Sequence, residues 1–191
     1  MRKLILLMHT SIDGFVAGPN GEMDWIRVDD ELFEIAVKLT DDADTALYGR
    51  VTYQMMESYW PTAGDKPTAT KHDIEHSRWY NIVEKIVLSK TIHQSNLRNT
   101  KFIGDNIPGE INKLKREKGK NILMIGSPSS AHTLMQQDLI DDYWLFVNPV
   151  VLGKGIPLFA GIKDRLQLKL LTTKTYSIGV VALHYERNSV N

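Results

Sequence analysis

Four short aliphatic runs, at residues 3–10, 45–48, 84–88 and 121–125, constrain this chain more than anything else in it. Each has the length and the aliphatic or β-branched content of a buried strand, and amphipathic stretches stand between them. That alternation predicts an α/β fold in which helices cover a mostly parallel sheet. The intervening segments follow suit. Asp29-Asp30-Glu31 supplies the acidic start a helix favours, and Leu32, Phe33, Ala36, Val37 and Thr40 recur behind it at helical spacing, with an end expected before Asp41. Residues 50–58 predict a helix with Val51, Met55 and Met56 facing inward. Residues 60–70, holding two prolines and a glycine, predict a loop. Residues 71–81 predict a polar surface helix. Ile107, Ile111 and Leu114 mark another helix, with Gly119 as its C-terminal cap. Ser127 and Pro128 have the chemistry of an N-cap and first helical residue for 129–137.

Towards the C-terminus, residues 101–103, 142–147 and 150–152 predict strands, while 166–175 and 179–186 predict an antiparallel hairpin turning at Tyr176-Ser177-Ile178-Gly179. The glycine- and proline-bearing stretch 11–21 predicts a long ordered loop. No repeat or linker appears, so residues 1–191 read as one domain, long enough to bury a continuous core.

Charge and composition exclude several functions. Lys plus Arg number 23 against 23 Asp plus Glu, which argues against a general nucleic-acid binder, because phosphate-backbone affinity needs a surplus of cations. With no cysteine there is no thiolate nucleophile, disulfide framework or iron–sulfur site. The apolar run after Met1-Arg2-Lys3 stops at His9, short of a signal peptide, and no stretch approaches a membrane span. A soluble cytoplasmic protein is expected. Of six histidines (His9, His72, His76, His93, His132, His184), only His72 and His76 have ligand spacing, and no third ligand is evident, so no metal site is expected.

Three strand ends run into small or polar turns: Tyr48-Gly49-Arg50-Val51-Thr52, Leu88-Ser89-Lys90-Thr91 and Ile125-Gly126-Ser127-Pro128-Ser129-Ser130. In open α/β sheets, ligands gather outside the carboxyl ends of strands, and free amides at a helix N-terminus attract phosphate. Gly126 admits close approach by an anion, the serines add hydroxyl donors, and Arg50 and Lys90 add charge. Together these turns suit a pyrophosphate and one further phosphate. Trp25 and the acids after it could face a flat heterocycle.

The chain resembles the dihydrofolate-reductase-like superfamily, and more closely the reductase domain at the C-terminus of the riboflavin-biosynthesis deaminase-reductase. The resemblance spans nearly the whole chain. It is carried by residues 11–17 (Ser-Ile-Asp-Gly-Phe-Val-Ala), 21–26 (Gly-Glu-Met-Asp-Trp-Ile), 47–53, 87–91, 126–128, 139–144 and 149–159. It implies a three-layer fold with a mostly parallel mixed sheet between helices, a homodimer, and an NADPH-dependent reductase acting on a small heterocyclic or sugar-linked molecule, such as a 5-amino-6-(5-phosphoribosylamino)uracil reductase. By the same resemblance, Val16 and Ala17 lie near the nicotinamide and Trp25 borders it. Gly49, Arg50 and Thr52 address the cofactor phosphates, Ser89 and Lys90 the adenosine 2′-phosphate, and Gly126, Ser127 and Pro128 the pyrophosphate. Asp30, five residues past Trp25, matches the spacing of a folate-binding carboxylate and is the catalytic candidate.

Departures bear on the substrate rather than the cofactor. Ser127 replaces the second glycine of the family's pair. Ile125 stands where riboflavin-pathway members carry a substrate-binding glutamate, and Tyr53-Gln54-Met55-Met56 replaces an Asp-Asp-Pro run. Three alternatives stay open: a dimeric nucleotide-binding or sensor module without turnover, a structural dimer, and a dihydrofolate reductase.

Overall fold

The computed structural model describes residues 1–92 and 99–188; His93 lies outside the described residues. Its centre is β1 (Leu4–Thr10), whose period-two pattern splits cleanly between two faces. Leu4, Leu6 and Met8 enter one apolar cluster, and Ile5 and Leu7 enter another on the opposite side. A strand buried on both faces belongs inside a parallel sheet. The sheet has eight strands, adding β3 (Ala43–Gly49), β4 (Glu84–Leu88), β5 (Thr100–Ile103), β6 (Asn121–Ile125), β7 (Asp142–Val147), β9 (Leu168–Thr175) and β10 (Val181–Arg187). The order is β5-β4-β3-β6-β1-β7-β10-β9, parallel from β5 to β7 and antiparallel through β10 and β9. Thus β9 and β10 form the expected hairpin, its turn closed by the Gly179 N–H on Tyr176 O.

Helices α4 (Ile107–Arg116) and α5 (Pro128–Gln136) cover the Leu4–Leu6–Met8 face through Ile111, Leu114, Ala131, Leu134 and Met135. On the other face, α1 (Asp30–Asp41) buries Leu32 and Leu39, while α2 (Arg50–Ala63) and α3 (Lys71–Ile82) enclose Tyr48, Tyr53, Tyr80 and Val87. The result is the three-layer arrangement expected of the pattern.

Local departures have local causes. α2 continues through Pro61 to Ala63, where the sequence suggests a loop from 60. Its inward residues are Thr52, Tyr53 and Ala63; Val51 and Met55 point to solvent. α3 is no surface helix: it buries His76, Ser77 and Tyr80, using polar and aromatic side chains as its inner face. α4 ends at Glu117 rather than at Gly119. The 11–21 loop contains a three-residue strand, β2 (Phe15–Ala17), paired with β8 (Ile156–Pro157), and residues 150–152 are not a strand. None of the described helices is long and apolar enough to cross a membrane.

Candidate cofactor site

The strand order places the three predicted turns beside one another. β4, β3 and β6 are consecutive parallel neighbours, so Ser89-Lys90, Gly49-Arg50 and Gly126-Ser127-Pro128 leave the same edge of the sheet at adjacent carboxyl ends. Contact between two of them is direct. The Gly49 N–H donates to Ser127 Oγ at 2.7 Å, and a Cβ on Gly49 would sit 2.4 Å from Ser130 Oγ. A side chain at 49 would therefore displace the Ser130 hydroxyl and press on Ser127.

Ser127 was expected to cap α5. It does occupy the N-cap position, but its side chain makes no bond to that helix and reaches across to Gly49 instead. Gly49, the N-cap of α2, has no side chain to offer. Two helices thus begin side by side with first-turn amides that no side chain caps, and such amides concentrate positive potential. Ser127 also holds φ +65°, a left-handed conformation that costs a non-glycine residue about 1 kcal/mol or more. The bond from Gly49 helps hold it there. Its hydroxyl proton stays available for donation outward. Next to it, Gly126 (φ +65°) would bring a Cβ 3.4 Å from the Thr52 methyl, which places buried Thr52 under the same turn.

Arg50 and Lys90 are both exposed; among the described residues the Arg50 guanidinium donates to Gln54 Oε1, at 3.3 Å. Ser89 is buried, and its Oγ accepts from the Thr91 and Ile92 amides at 3.2 and 2.9 Å, so its first role is to shape the turn that presents Lys90. This edge of the sheet fits an anionic, phosphate-bearing cofactor: helix-start amides without side-chain caps, hydroxyl donors and two exposed cations stand at adjacent strand ends.

The remaining candidates surround the neighbouring ends of β1 and β7. Val16 and Ala17 are buried in β2. Trp25 is half-buried, its indole N–H donating to Glu22 O at 3.1 Å. Two residues on, the Arg27 N–H donates to Oδ1 of Asn148, a fully buried residue just past β7 whose amide also reaches Thr10 O, Phe146 O and His9 Nδ1. Burial lowers the His9 imidazole to about 4, so it is neutral at physiological pH. Asp30 is exposed at the first position of α1, capped by Asp29. Its carboxylate has no partner among the described residues, and no contact joins it to the three turns.

Three features carry no assignment in the sequence reading: Asn148, His9 and Asp13, the last inside the quoted Ser-Ile-Asp-Gly segment. A depression of about 420 Å³ between the end of α5 and residues 162–167 lies instead by the amino ends of β1 and β7, where Arg187 pairs with Asp138 at 3.2 Å. None of the candidate residues lines it.

Residues 2–182 match the family model described as the RibD C-terminal domain. The chain belongs to that family. It is 38% identical over 189 residues to the uncharacterised protein YyaP of Bacillus subtilis (98% of this chain, 96% of YyaP) and 29% identical over 187 residues to YwjB of the same organism (97% and 98%). Among solved structures, a riboflavin-biosynthesis-type protein from Shewanella sp. PV-4 shares the fold with TM-score 0.73 and 22% identity, over 98% of this chain and 99% of that one. The deaminase/5-amino-6-(5-phosphoribosylamino)uracil reductase of Thermotoga maritima shares it with TM-score 0.68 and 14% identity, over 98% of this chain but 57% of that longer one. RibD C-terminal domains are riboflavin-pathway-type reductase domains with a dihydrofolate-reductase-like fold, and the architecture described above is that fold.

Proposed function

We propose that this chain is an NADPH-dependent reductase that passes hydride to a small heterocyclic or sugar-linked molecule. The observation that carries the reading is the juxtaposition of two uncapped helix starts, linked by the Gly49–Ser127 bond, with Arg50 and Lys90 at neighbouring strand ends. In this reading the first-turn amides of α2 and α5, with the Ser127 hydroxyl, hold the pyrophosphate. Arg50 and Lys90 neutralise its charge and that of a 2′-phosphate. Val16 and Ala17 form the apolar wall beside the nicotinamide, and Trp25 borders it. The reduced nicotinamide supplies the hydride; the chain binds, orients and excludes water. Asp30 orients or protonates the acceptor. A titration of NADPH and NADH fluorescence on the wild type, Arg50→Ala and Lys90→Ala tests the reading. Both variants weaken NADPH binding, and loss at Lys90 narrows the gap between the two nucleotides. No binding of either nucleotide by the wild type would refute it. Asp30→Asn lowers turnover at unchanged NADPH affinity; equal turnover removes Asp30 from the mechanism.

One observation favours a second reading, a nucleotide-binding module without riboflavin-pathway turnover. Ile125, half-buried against both apolar clusters of the α1–α3 face, places no carboxylate at the strand end next to the cleft. NADPH binding without consumption across a panel of pyrimidine and pterin acceptors would select that reading. In either case we propose a homodimer. The support is β9, an edge strand with Leu170 and Leu171 exposed. Light scattering measures the mass directly, and a Leu170→Lys variant that stays dimeric would remove β9 from the interface.

A further inference from the structure

Asp13 ties together two loops that lie far apart in sequence. Its Oδ1 accepts from the Leu152 N–H at 3.1 Å and from the Ser11 hydroxyl at 2.6 Å, and its Oδ2 accepts from the Gly153 N–H at 2.7 Å. The Ser11 Oγ in turn accepts the Phe15 N–H at 2.9 Å, although Ser11 itself is buried. These bonds, the Ser11 hydroxyl foremost, hold the Asp13 carboxyl below its usual range, so it is ionised at neutral pH. Backbone bonds reinforce the junction: the Ile12 N–H on Val150 O, and the Leu158 N–H on Gly14 O.

The consequence reaches the cofactor side through Gly155. A Cβ at that position would lie 2.2 Å from the Ala17 carbonyl oxygen, so the 152–155 loop rests directly on the backbone of β2. The two amides that Asp13 grips lie two and three residues earlier in the same loop. β2 has three residues and one two-residue partner strand, too little pairing to fix its own position. The exposed Asp13 carboxylate thus accepts two hydrogen bonds from the 152–155 loop and its third from Ser11, and among the described residues no other side chain holds the Leu152 and Gly153 amides.

We propose that Asp13 is a positioning residue: by gripping the Leu152 and Gly153 amides it fixes the depth at which Val16 and Ala17 meet the nicotinamide. The inference rests on the reading of those two residues as the nicotinamide wall. Asp13 touches no reacting atom in this role. Among the described residues no hydrogen bond or ion pair joins it to the turns at Gly49, Ser89 or Gly126, so it acts on the nicotinamide half of the site.

Two probes separate the halves: NADPH, and 2′,5′-ADP, which carries the adenosine phosphates without the nicotinamide. In Asp13→Asn an amide N–H must face either the Gly153 N–H or the Leu152 N–H, so one grip is lost. NADPH affinity then falls about tenfold, as expected for loss of a charge-assisted bond, and the emission gain of bound NADPH shrinks, while 2′,5′-ADP affinity stays within about twofold. Ser11→Ala, which leaves the carboxylate but removes its orienting hydroxyl, shifts NADPH affinity in the same direction by about threefold. Gly155→Ala disturbs the same contact from the other side, so its effect and that of Asp13→Asn do not add in the double variant. Equal losses for both probes, unchanged NADPH binding in Asp13→Asn, or additive effects would overturn the proposal while leaving the cofactor reading intact. A wild type that binds neither probe would instead sink the cofactor reading, and this inference with it.

Discussion

Two pairs of helices in this molecule begin in opposite ways. The amides at the start of α1 and α3 are closed by side chains: Asp29 Oδ1 accepts the Leu32 N–H at 2.8 Å, and Thr70 and Asp73 form a reciprocal capping box. α2 and α5 have no such bond, and the one serine placed to cap α5 spends its oxygen on the backbone of Gly49. α4 also lacks a side-chain cap, and it follows β5 at the same carboxyl edge. Leaving helix amides open costs stability that a single Ser, Thr or Asp would restore. Open starts gathered at one sheet edge, beside two exposed cations, are what a phosphate-bearing ligand requires; the closed starts of α1 and α3 present no such row of free amides.

The sharpest way to break the comparison is to fill the space between the two open starts. Gly49→Val drives side-chain atoms into Ser130 Oγ and the Ser127 side chain, costs about 2 kcal/mol in stability and abolishes NADPH binding while the protein stays folded by circular dichroism at low temperature. Full NADPH affinity in that variant would show that the gap is not the phosphate site. The closed side answers to protons instead. Burial lowers the His76 imidazole to about 3, helped by neighbouring His72 and opposed in part by Asp73; its Nε2 has no hydrogen-bond partner among the described residues, and the ring lies 4.0 Å from that of Trp60. The unfolded chain takes up this proton near pH 6.5 and the folded chain does not. Stability is therefore fully present above pH 6.5 and falls as pH drops towards 3. Thermal unfolding measured from pH 7 to pH 4.5 follows that slope, and His76→Phe flattens it.

Much of this was legible in the chain because strand ends and glycine turns are local signals. The runs at 3–10, 84–88 and 121–125 mark the strands within a residue or so, and Gly49, Arg50, Lys90 and Gly126 are conspicuous beside them. What escaped depends on partners distant in sequence. β2 and β8 exist only by pairing with each other. The inner face of α3 is invisible to a hydrophobicity pattern because His76, Ser77 and Tyr80 compose it. Pro61 normally signals a stop, yet α2 runs on through it. Ser127 has cap chemistry in any sequence; only the neighbouring strand reveals that its oxygen is taken by Gly49.

Arg50→Ala tests charge without disturbing the gap. The guanidinium is exposed and, among the described residues, joined only to Gln54, so its removal leaves folding nearly untouched and reports on ligand charge alone. Loss of one charged hydrogen bond of about 1.4 kcal/mol corresponds to about tenfold weaker NADPH binding. Raising the salt concentration narrows the difference between wild type and variant, because added ions screen an exposed cation. A deficit that persists at high salt would point to altered packing of α2 rather than to charge.

Asp29→Ala gives the smallest effect and the cleanest control. Removing a capping carboxylate from α1 costs about 1 kcal/mol, which for a chain of this size lowers the melting temperature by about 3 °C. It opens a helix start resembling those of α2 and α5, but at a place where the nearby cations are engaged, Lys174 with the adjoining Glu31 at 3.1 Å and Arg27 with Ile178 O at 3.1 Å. NADPH affinity in the variant stays within about twofold of wild type at a temperature where both are folded. If open amides alone were enough to attract phosphate, this variant would acquire a second, weak site for inorganic phosphate, detectable by titration calorimetry. Its absence would mean that the pairing of α2 with α5, and the cations beside them, matter more than the missing caps.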